Sequence, residues 1–267
     1  MVRAVPLWLR VVSYVFVTLT ATLLLAPLVV VIGVSFTESQ FISFPPVGFS
    51  LIWYKAALTS DAYLSAFWLS LKLALAVTLS ATVIGGAAAI ALSRRTLPFS
   101  MQMETLFLSP LVLPTIIYAI GMLMLWSSTF GAVSFLALWI SHTVICLPYV
   151  VRTTLAVLSE SDPFLEQAAR TMGANRPQRL FHVVLPQCRP GLIAGGFFAF
   201  NISFDEAVLS LFLRNPQTTT LPVQIYGQLE FSPDPTVAAV SSIMIAITII
   251  LIAVIDRILG LQRFASS

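Results

Sequence analysis

The sequence predicts an all-α integral membrane protein that crosses the bilayer six times. Hydrophobic residues make up 58% of the 267 residues and charged residues only 9%, whereas soluble globular domains carry about 25% charged residues. The apolar residues also form long continuous runs, and about 20 apolar residues in a helix cross a hydrocarbon core of about 30 Å. A closed β-barrel needs strands of alternating polarity, which these runs do not show.

Six apolar stretches are the predicted spans of a single transmembrane domain over residues 1–267. Their predicted bounds are 11–36, 64–92, 104–126, 132–151, 190–213 and 236–258. When six spans alternate, the arginines gather on one side, and the other side carries only Lys55 and Arg214. The side rich in arginine faces the cytoplasm under the positive-inside rule. The sequence therefore predicts that both termini are cytoplasmic.

The third span carries Pro110 and Pro114 in "SPLVLPT". Proline removes a backbone donor and disturbs the preceding turn, so this span is predicted to be either kinked or a helix that lines a water-filled pathway. Small residues in "IGGAAAIA" (84–91) and in the fifth span, at Gly191, Gly195 and Gly196, predict close contacts between helices.

The segment between the fourth and fifth spans, about 158–188, is too polar to cross the bilayer. Asp162 is a helix N-cap residue, and Gly173 suits the left-handed position that ends a helix. A second short helix is predicted to begin near Asn175 and to end at Pro186. An amphipathic helix lying on lipid head groups and an ordinary connecting loop are two other interpretations.

The same segment resembles the cytoplasmic EAA loop of binding-protein-dependent ABC importer permeases. The family pattern is Glu-Ala-Ala, three residues, Gly, nine residues, an aliphatic residue, one residue and Leu-Pro. In "EQAARTMGANRPQRLFHVVLP" six positions match this spacing: Ala168, Ala169, Gly173, Val183, Leu185 and Pro186. Gln167 stands where the family has Glu, and Glu166 precedes it. The resemblance implies a six-transmembrane-helix type I ABC importer permease with a cytoplasmic coupling helix.

The resemblance also implies partners in the bacterial inner membrane: a second homologous permease, two ATPase subunits and a periplasmic solute-binding protein. The implied residues of ATPase coupling are Glu166, Gln167, Ala168, Ala169, Gly173, Val183, Leu185 and Pro186. The sequence has no G-x-x-x-x-G-K-[ST] phosphate loop. We therefore expect a non-catalytic subunit without a cofactor of its own, with ATP and Mg²⁺ bound by the ATPase subunits. No ligand spacing predicts a metal site, and the basic residues in short loops indicate membrane orientation, not nucleic-acid binding.

Two adjacent carboxylates lie in the fifth span, within "NISFDEAVLS" (201–210). A charge inside the bilayer costs about 2.5–3.5 kcal/mol, so such a residue is expected either to have a structural partner or to serve a function. Lys72 of the second span is the candidate partner in a structural ion pair. The functional interpretation places a substrate pathway at Asn201, Phe204, Asp205 and Glu206, where carboxylates and aromatic rings attract an organic cation.

The stretch "SFDEAVLSLFL" resembles the polyamine (spermidine/putrescine) branch of the family. This resemblance implies a small cationic or amine-containing solute. The alternative is a proton-coupled secondary transporter in which Asp205 or Glu206 carries the proton; such transporters have inverted repeats, and none is evident here.

Overall fold

The computed structural model describes residues 6–94, 99–162 and 164–259, and in these ranges every regular element is helical. A 3₁₀ turn covers Ser109–Leu111 and a π-helical turn covers Leu180–Val184. The α-helices of the described residues are α1 Leu7–Val34, α2 Ile52–Thr59, α3 Asp61–Ser93, α4 Ser100–Leu108, α5 Thr115–Phe130, α6 Phe135–Glu160, α7 Phe164–Thr171, α8 Arg176–Arg179, α9 Leu185–Asp205, α10 Val208–Phe212, α11 Leu221–Phe231 and α12 Thr236–Leu259.

The chain divides into two compact units. The first comprises Met1–Asp61 and Gly227–Ile247, and the second comprises Ala62–Tyr226 and Thr248–Ser267. The second unit contains every residue that the sequence assigns to coupling or to the substrate pathway. The single transmembrane domain over the whole chain stays a prediction.

In the first unit, α1 is apolar and exposed along almost its whole length. The segment after α1 is fastened to α2 by side chains of both. The Ser35 hydroxyl lies 2.8 Å from the Tyr54 hydroxyl, and the Trp53 indole N–H donates to the Thr37 carbonyl at 3.0 Å. An apolar helix with so few protein neighbours is suited to contact with lipid or with another chain.

In the second unit, α6 and α9 pack so closely that only glycine fits at the contact. A Cβ atom on Gly191 would lie 2.8 Å from the Thr153 carbonyl oxygen, and one on Gly195 would lie 2.7 Å from Val150 Cα. Small residues permit this approach in membrane helices. The prediction of close helix contacts at these glycines is confirmed.

Five helical segments of the described residues are long and apolar enough to cross a bilayer: Leu7–Val34, Asp61–Ser93, Phe135–Glu160, Arg176–Asp205 and Thr236–Arg257. The sixth is the pair Ser100–Leu111 and Thr115–Phe130, which bends by 99°. The predicted span 104–126 is therefore not one helix with a mild kink. The reason lies in its prolines, because Pro110 sits in the 3₁₀ turn and Pro114 caps α5, so the turn between them has lost two backbone donors.

The fifth predicted span, 190–213, differs from the structure at both ends. On the cytosolic side, α8, the π-helical turn Leu180–Val184 and α9 follow one another without a break, so Pro186 does not end a helix as predicted. It occupies the first turn of α9, next to the π turn, where the regular hydrogen-bond pattern is already changed. At the far end the helix stops at Asp205, because Glu206 adopts an extended conformation with ψ 104°.

Candidate functional site

The cytosolic helix α7 begins as its sequence predicts. The Phe164 amide donates to an Asp162 carboxylate oxygen at 2.8 Å, so the predicted N-cap is confirmed. Gly173 has φ +87°, a left-handed conformation that strains any residue with a Cβ atom. At the following turn, the Asn175 and Gln178 side chains cap each other's backbone amides at 2.9 Å. The two helices joined by a glycine are therefore present, and the second runs on into α9.

One face of α7 is apolar and exposed. Phe164 is 69% exposed, Leu165 52% and Met172 82%, and the intervening Ala168 is exposed as well. These positions share one side of the helix because residues three and four apart are neighbours on a helical surface. An exposed apolar face of this kind is suited to contact with another protein chain or with lipid.

The opposite face of α7 is polar and is turned toward the chain's own helices. Glu166 Oε1 lies 3.0 Å from Nη2 of Arg94, the residue that follows α3, and 3.4 Å from Nε of Arg179 in α8. Arg179 also donates from Nη1 to the Ala174 carbonyl at 3.1 Å. We call Glu166, Arg94 and Arg179 the Glu166 clamp. The predicted ATPase contact at Glu166 is, in this structure, an internal link between the loop and α3.

The other residues of the EAA pattern lie along the same segment. Gln167 is exposed on the polar side, whereas Ala169 is buried. Val183 is half-buried in the π-helical turn, and Leu185 and Pro186 form the start of α9. The pattern therefore spans the whole connection from α7 through the glycine joint into a membrane helix.

The second candidate site is the break between α9 and α10. Asp205 ends α9 and is exposed, and within the described residues its carboxylate has no hydrogen-bond or ion-pair partner. Glu206 accepts a hydrogen bond from the Leu209 amide at 3.0 Å. Glu206 therefore satisfies a backbone donor in the first turn of α10, just before which it lies. The two carboxylates that are adjacent in sequence have different tasks.

Two other predicted pathway residues make their contacts inside the protein. Asn201 donates from Nδ2 to the Phe197 carbonyl of its own helix at 3.0 Å. The ring of Phe204 is 3% exposed and is stacked on Phe200 with centroids 5.5 Å apart. Phe67 of α3 meets Phe204 edge-on at 6.2 Å. Phe204 therefore packs against the break inside the protein, and Asp205 is the predicted pathway residue whose side chain is exposed.

Lys72 does not pair with either carboxylate of the break. Its ammonium lies 5.1 Å from the centroid of the Phe135 ring, a cation–π geometry. Within the described residues, the ion pairs are those of Glu166 with Arg94 and Arg179. The structure thus does not bring together the ion pair that the sequence suggests at Lys72.

A buried histidine joins both sides of the break, and the sequence gives no sign of this role. His142 of α6 is fully buried; its Nδ1 lies 3.1 Å from the Ser203 hydroxyl in α9, and its Nε2 lies 3.1 Å from the Ser210 hydroxyl in α10. Both ring nitrogens are therefore hydrogen-bonded. Only a polar residue within an apolar span could have drawn attention to it, because its partners are more than 60 residues away.

The chain is similar in sequence and in fold to known proteins. Residues 81–263 match the family model of the binding-protein-dependent transport system inner membrane component. The chain belongs to this family. Membership makes it a transport permease component of the inner membrane, as predicted, and does not favour the proton-coupled secondary transporter.

Two curated relatives of this permease component come from Escherichia coli strain K12. The putrescine transport system permease protein PotI is 29% identical over 238 residues, which cover 86% of this chain and 84% of PotI. The spermidine/putrescine transport system permease protein PotC is 32% identical over 237 residues, which cover 89% of each chain.

Solved structures share the fold of this permease component. A chain of a bacterial ABC transporter involved in the import of the acidic polysaccharide alginate aligns with a TM-score of 0.72 at 15% identity, covering 93% of this chain and 95% of that one. A chain of the MetNI methionine ABC transporter aligns with a TM-score of 0.59 at 19% identity, covering 76% and 98%. The predicted fold class, an all-helical importer permease of the membrane, is confirmed.

Proposed function

We propose that this chain is one of two homologous permease subunits of an ATP-driven importer. In this proposal two ATPase subunits bind ATP and Mg²⁺, a periplasmic binding protein delivers the solute, and this chain has no catalytic role. Family membership supports dependence on a binding protein. The missing phosphate-loop sequence supports ATP hydrolysis by other chains. The distribution of arginine supports a multi-pass protein with both termini in the cytoplasm.

The observation that carries the coupling role is the exposed apolar face of α7. A short helix that presents apolar side chains can enter a hydrophobic groove of a partner. In our proposal Phe164, Leu165 and Met172 enter a groove of the ATPase subunit. The Glu166 clamp on the opposite face then passes the movement of α7 to α3, while Gly173 lets the loop turn into α9.

The break at Asp205 supports a role in solute passage. An ionisable residue within the membrane is a functional-site hypothesis by default, and this carboxylate is exposed without a partner. Its negative charge suits a small ammonium-bearing solute. The relatives named for putrescine and spermidine support a polyamine or a similar amine.

A charge on the apolar face of α7 tests the coupling role. Leu165→Glu in the complete system, reconstituted in proteoliposomes, should lower ATP-dependent uptake at least about tenfold, because the charge must lose water to enter an apolar groove. Binding of the ATPase subunits, measured by co-purification, should weaken in parallel. Ser159→Glu adds the same charge at an exposed position in the last turn of α6, close in sequence to α7, and is the matched control. Normal uptake by the Leu165→Glu variant would contradict the coupling role.

A second experiment tests the solute class. Putrescine or spermidine should be taken up by the complete system with its binding protein, and should stimulate ATP hydrolysis. A dicarboxylate of matched length carries the opposite charges and is the control solute. Stimulation by the dicarboxylate alone would contradict the cationic solute and leave the importer assignment intact.

A further inference from the structure

A large cavity opens between the cytosolic half of α3, the α7–α8 segment and the start of α9. Its volume is about 1380 Å³. Both its polar and its apolar lining come from the second unit, and none of its lining residues is part of the break at Asp205. The cavity therefore requires an explanation separate from the solute site.

The cytosolic end of the cavity is strongly cationic. Four arginines and one carboxylate line it: Arg94, Arg170, Arg176, Arg179 and Glu166. The carboxylate is already shared by Arg94 and Arg179 in the Glu166 clamp. Arg170 and Arg176 have no carboxylate partner within the described residues. The cavity thus holds a net formal charge of +3 and two guanidinium groups ready for an anion.

The remainder of the cavity is an apolar wall that rises into the membrane. It follows α3 from Arg94 back to Thr82, about 18 Å at 1.5 Å per residue. This length is about half of a hydrocarbon core of about 30 Å. Exposed Ala87 keeps the α3 side of the wall open, whereas Leu192 of α9 packs against buried Gly86 and closes the inner side of the cavity.

We propose that this cavity binds one anionic phospholipid of the cytoplasmic leaflet. The phosphate accepts hydrogen bonds from Arg170 and Arg176, since the guanidinium fork matches phosphate oxygens. An acyl chain lies along the exposed surface of α3 at Ala87, on the outer side of the contact between Gly86 and Leu192. Basic pockets between membrane helices on the cytoplasmic side suit anionic head groups. This site rests on the cytoplasmic placement of the α7–α8 segment in the proposed function, and it adds a ligand that the transport reaction does not consume.

The charge of the cavity favours a lipid over a protein occupant. A second permease that obeys the positive-inside rule also brings arginine and lysine to its cytoplasmic side, so it would place like charges against Arg170 and Arg176. An ATPase subunit in the cytosol reaches the arginines but not the wall inside the membrane. An anionic phospholipid complements both parts of the cavity.

Native mass spectrometry of the assembled complex measures the bound lipid directly. Titration with phosphatidylglycerol should give one tightly bound copy, and phosphatidylcholine of the same chain length should bind at least about tenfold more weakly, because two basic side chains each favour an anionic lipid. Arg170→Gln with Arg176→Gln should remove this preference. Arg257→Gln removes an exposed arginine of α12 that does not line the cavity, and it should leave the preference unchanged.

A second variant tests the apolar wall without touching a charge. Ala87 is exposed, so Ala87→Trp fits without disturbing the packed core and fills the space of the acyl chain. This variant should weaken the binding of phosphatidylglycerol at least about tenfold, which is a difference of about 1.4 kcal/mol in binding free energy.

Four results would overturn the proposal. The double arginine variant could keep the preference for phosphatidylglycerol, or Arg257→Gln could lose that preference to the same extent. Inorganic phosphate alone could displace the lipid, or the lipid could bind the single chain and be absent from the assembled complex. The last result would make the second permease the occupant. None of these readouts requires uptake, so a failed lipid site and a failed importer assignment remain distinguishable.

Discussion

Two carboxylates of this permease stand in opposite settings. Glu166 lies in a segment outside the bilayer and has two arginine partners, at 3.0 and 3.4 Å. Asp205 lies at the break of a membrane helix, where a charge is costly, and within the described residues it has no partner. Glu166, whose charge water would stabilise, is paired, whereas Asp205, whose charge is costly in the membrane, has no partner within the described residues.

The contrast separates a positioning role from a binding role. A pair of exposed side chains contributes about 0–1 kcal/mol to stability, so the Glu166 clamp is better explained by the position it gives α7 than by its energy. A carboxylate at the centre of a bilayer costs about 2.5–3.5 kcal/mol. Asp205 is therefore better explained by a cationic ligand than by folding.

The largest effect is expected at His142, which is hydrogen-bonded to both sides of the break between α9 and α10. His142→Ala should lower the free energy of unfolding by about 2–4 kcal/mol, since it leaves buried hydroxyls without partners and opens a cavity. Thermal melting of the purified permease in nanodiscs measures this. His182→Ala removes an exposed imidazole from the cytosolic π turn and is the control. Equal melting temperatures for both variants would show that buried hydrogen bonds do not hold the break.

The next effect is on transport. Asp205→Asn should lower polyamine uptake at least about tenfold, because an amide keeps the shape but loses the charge that attracts an ammonium group. The melting temperature should stay unchanged, since no partner of Asp205 is lost. Glu206→Gln keeps an oxygen that can accept from the Leu209 amide, so uptake should fall less. If Glu206→Gln reduced uptake more than Asp205→Asn, the roles of the two carboxylates would be reversed.

A smaller effect is expected at the clamp. In a double-mutant cycle, Glu166→Gln and Arg94→Gln should show a coupling energy of about 0.2–1 kcal/mol. Uptake per ATP hydrolysed should fall in each single variant, whereas the melting temperature changes little. Arg152→Gln, at an exposed position of α6, is the matched control for the lost charge. A clamp variant with normal uptake per ATP would make the ion pair a passive surface contact.

The smallest effect on transport is expected at Lys72, where only stability should change. Lys72→Met loses a cation–π contact and no ion pair, so the free energy of unfolding should change by about 0.5–1 kcal/mol. Chemical denaturation in detergent measures this change. A loss of 3 kcal/mol or more, about the cost of breaking a buried ion pair, would restore the pairing of Lys72 with a carboxylate of the break.

Local chemistry in the sequence was sufficient for part of the site. Asp162 caps α7 and Gly173 occupies a left-handed joint, because both features depend on the residue itself and its near neighbours. The carboxylates of the fifth span were also recognised, because a charge in an apolar run is visible without a fold. Their separate roles were not, because these depend on whether the helix continues past Asp205.

The proline positions show where such reasoning failed. Pro186 was expected to end a helix, yet the preceding π turn lets the helical run continue through it. Pro110 and Pro114 predict a disturbance, but the angle of 99° depends on how α4 and α5 each pack against α6. A proline in the sequence shows which backbone hydrogen bond is lost, but the conformation of the neighbouring turns depends on the fold.

By itself the sequence determines that the chain is a membrane protein and approximately where most of its spans lie, and it predicts which segment faces the cytosol. These properties follow from composition and short spacings. Only the tertiary structure decided which charges are paired, since Arg94 and Glu166 are 72 positions apart and meet only when α3 and α7 are packed in one unit. The sequence shows where a charged residue is, but its energetic cost and its role depend on the partners that folding places beside it.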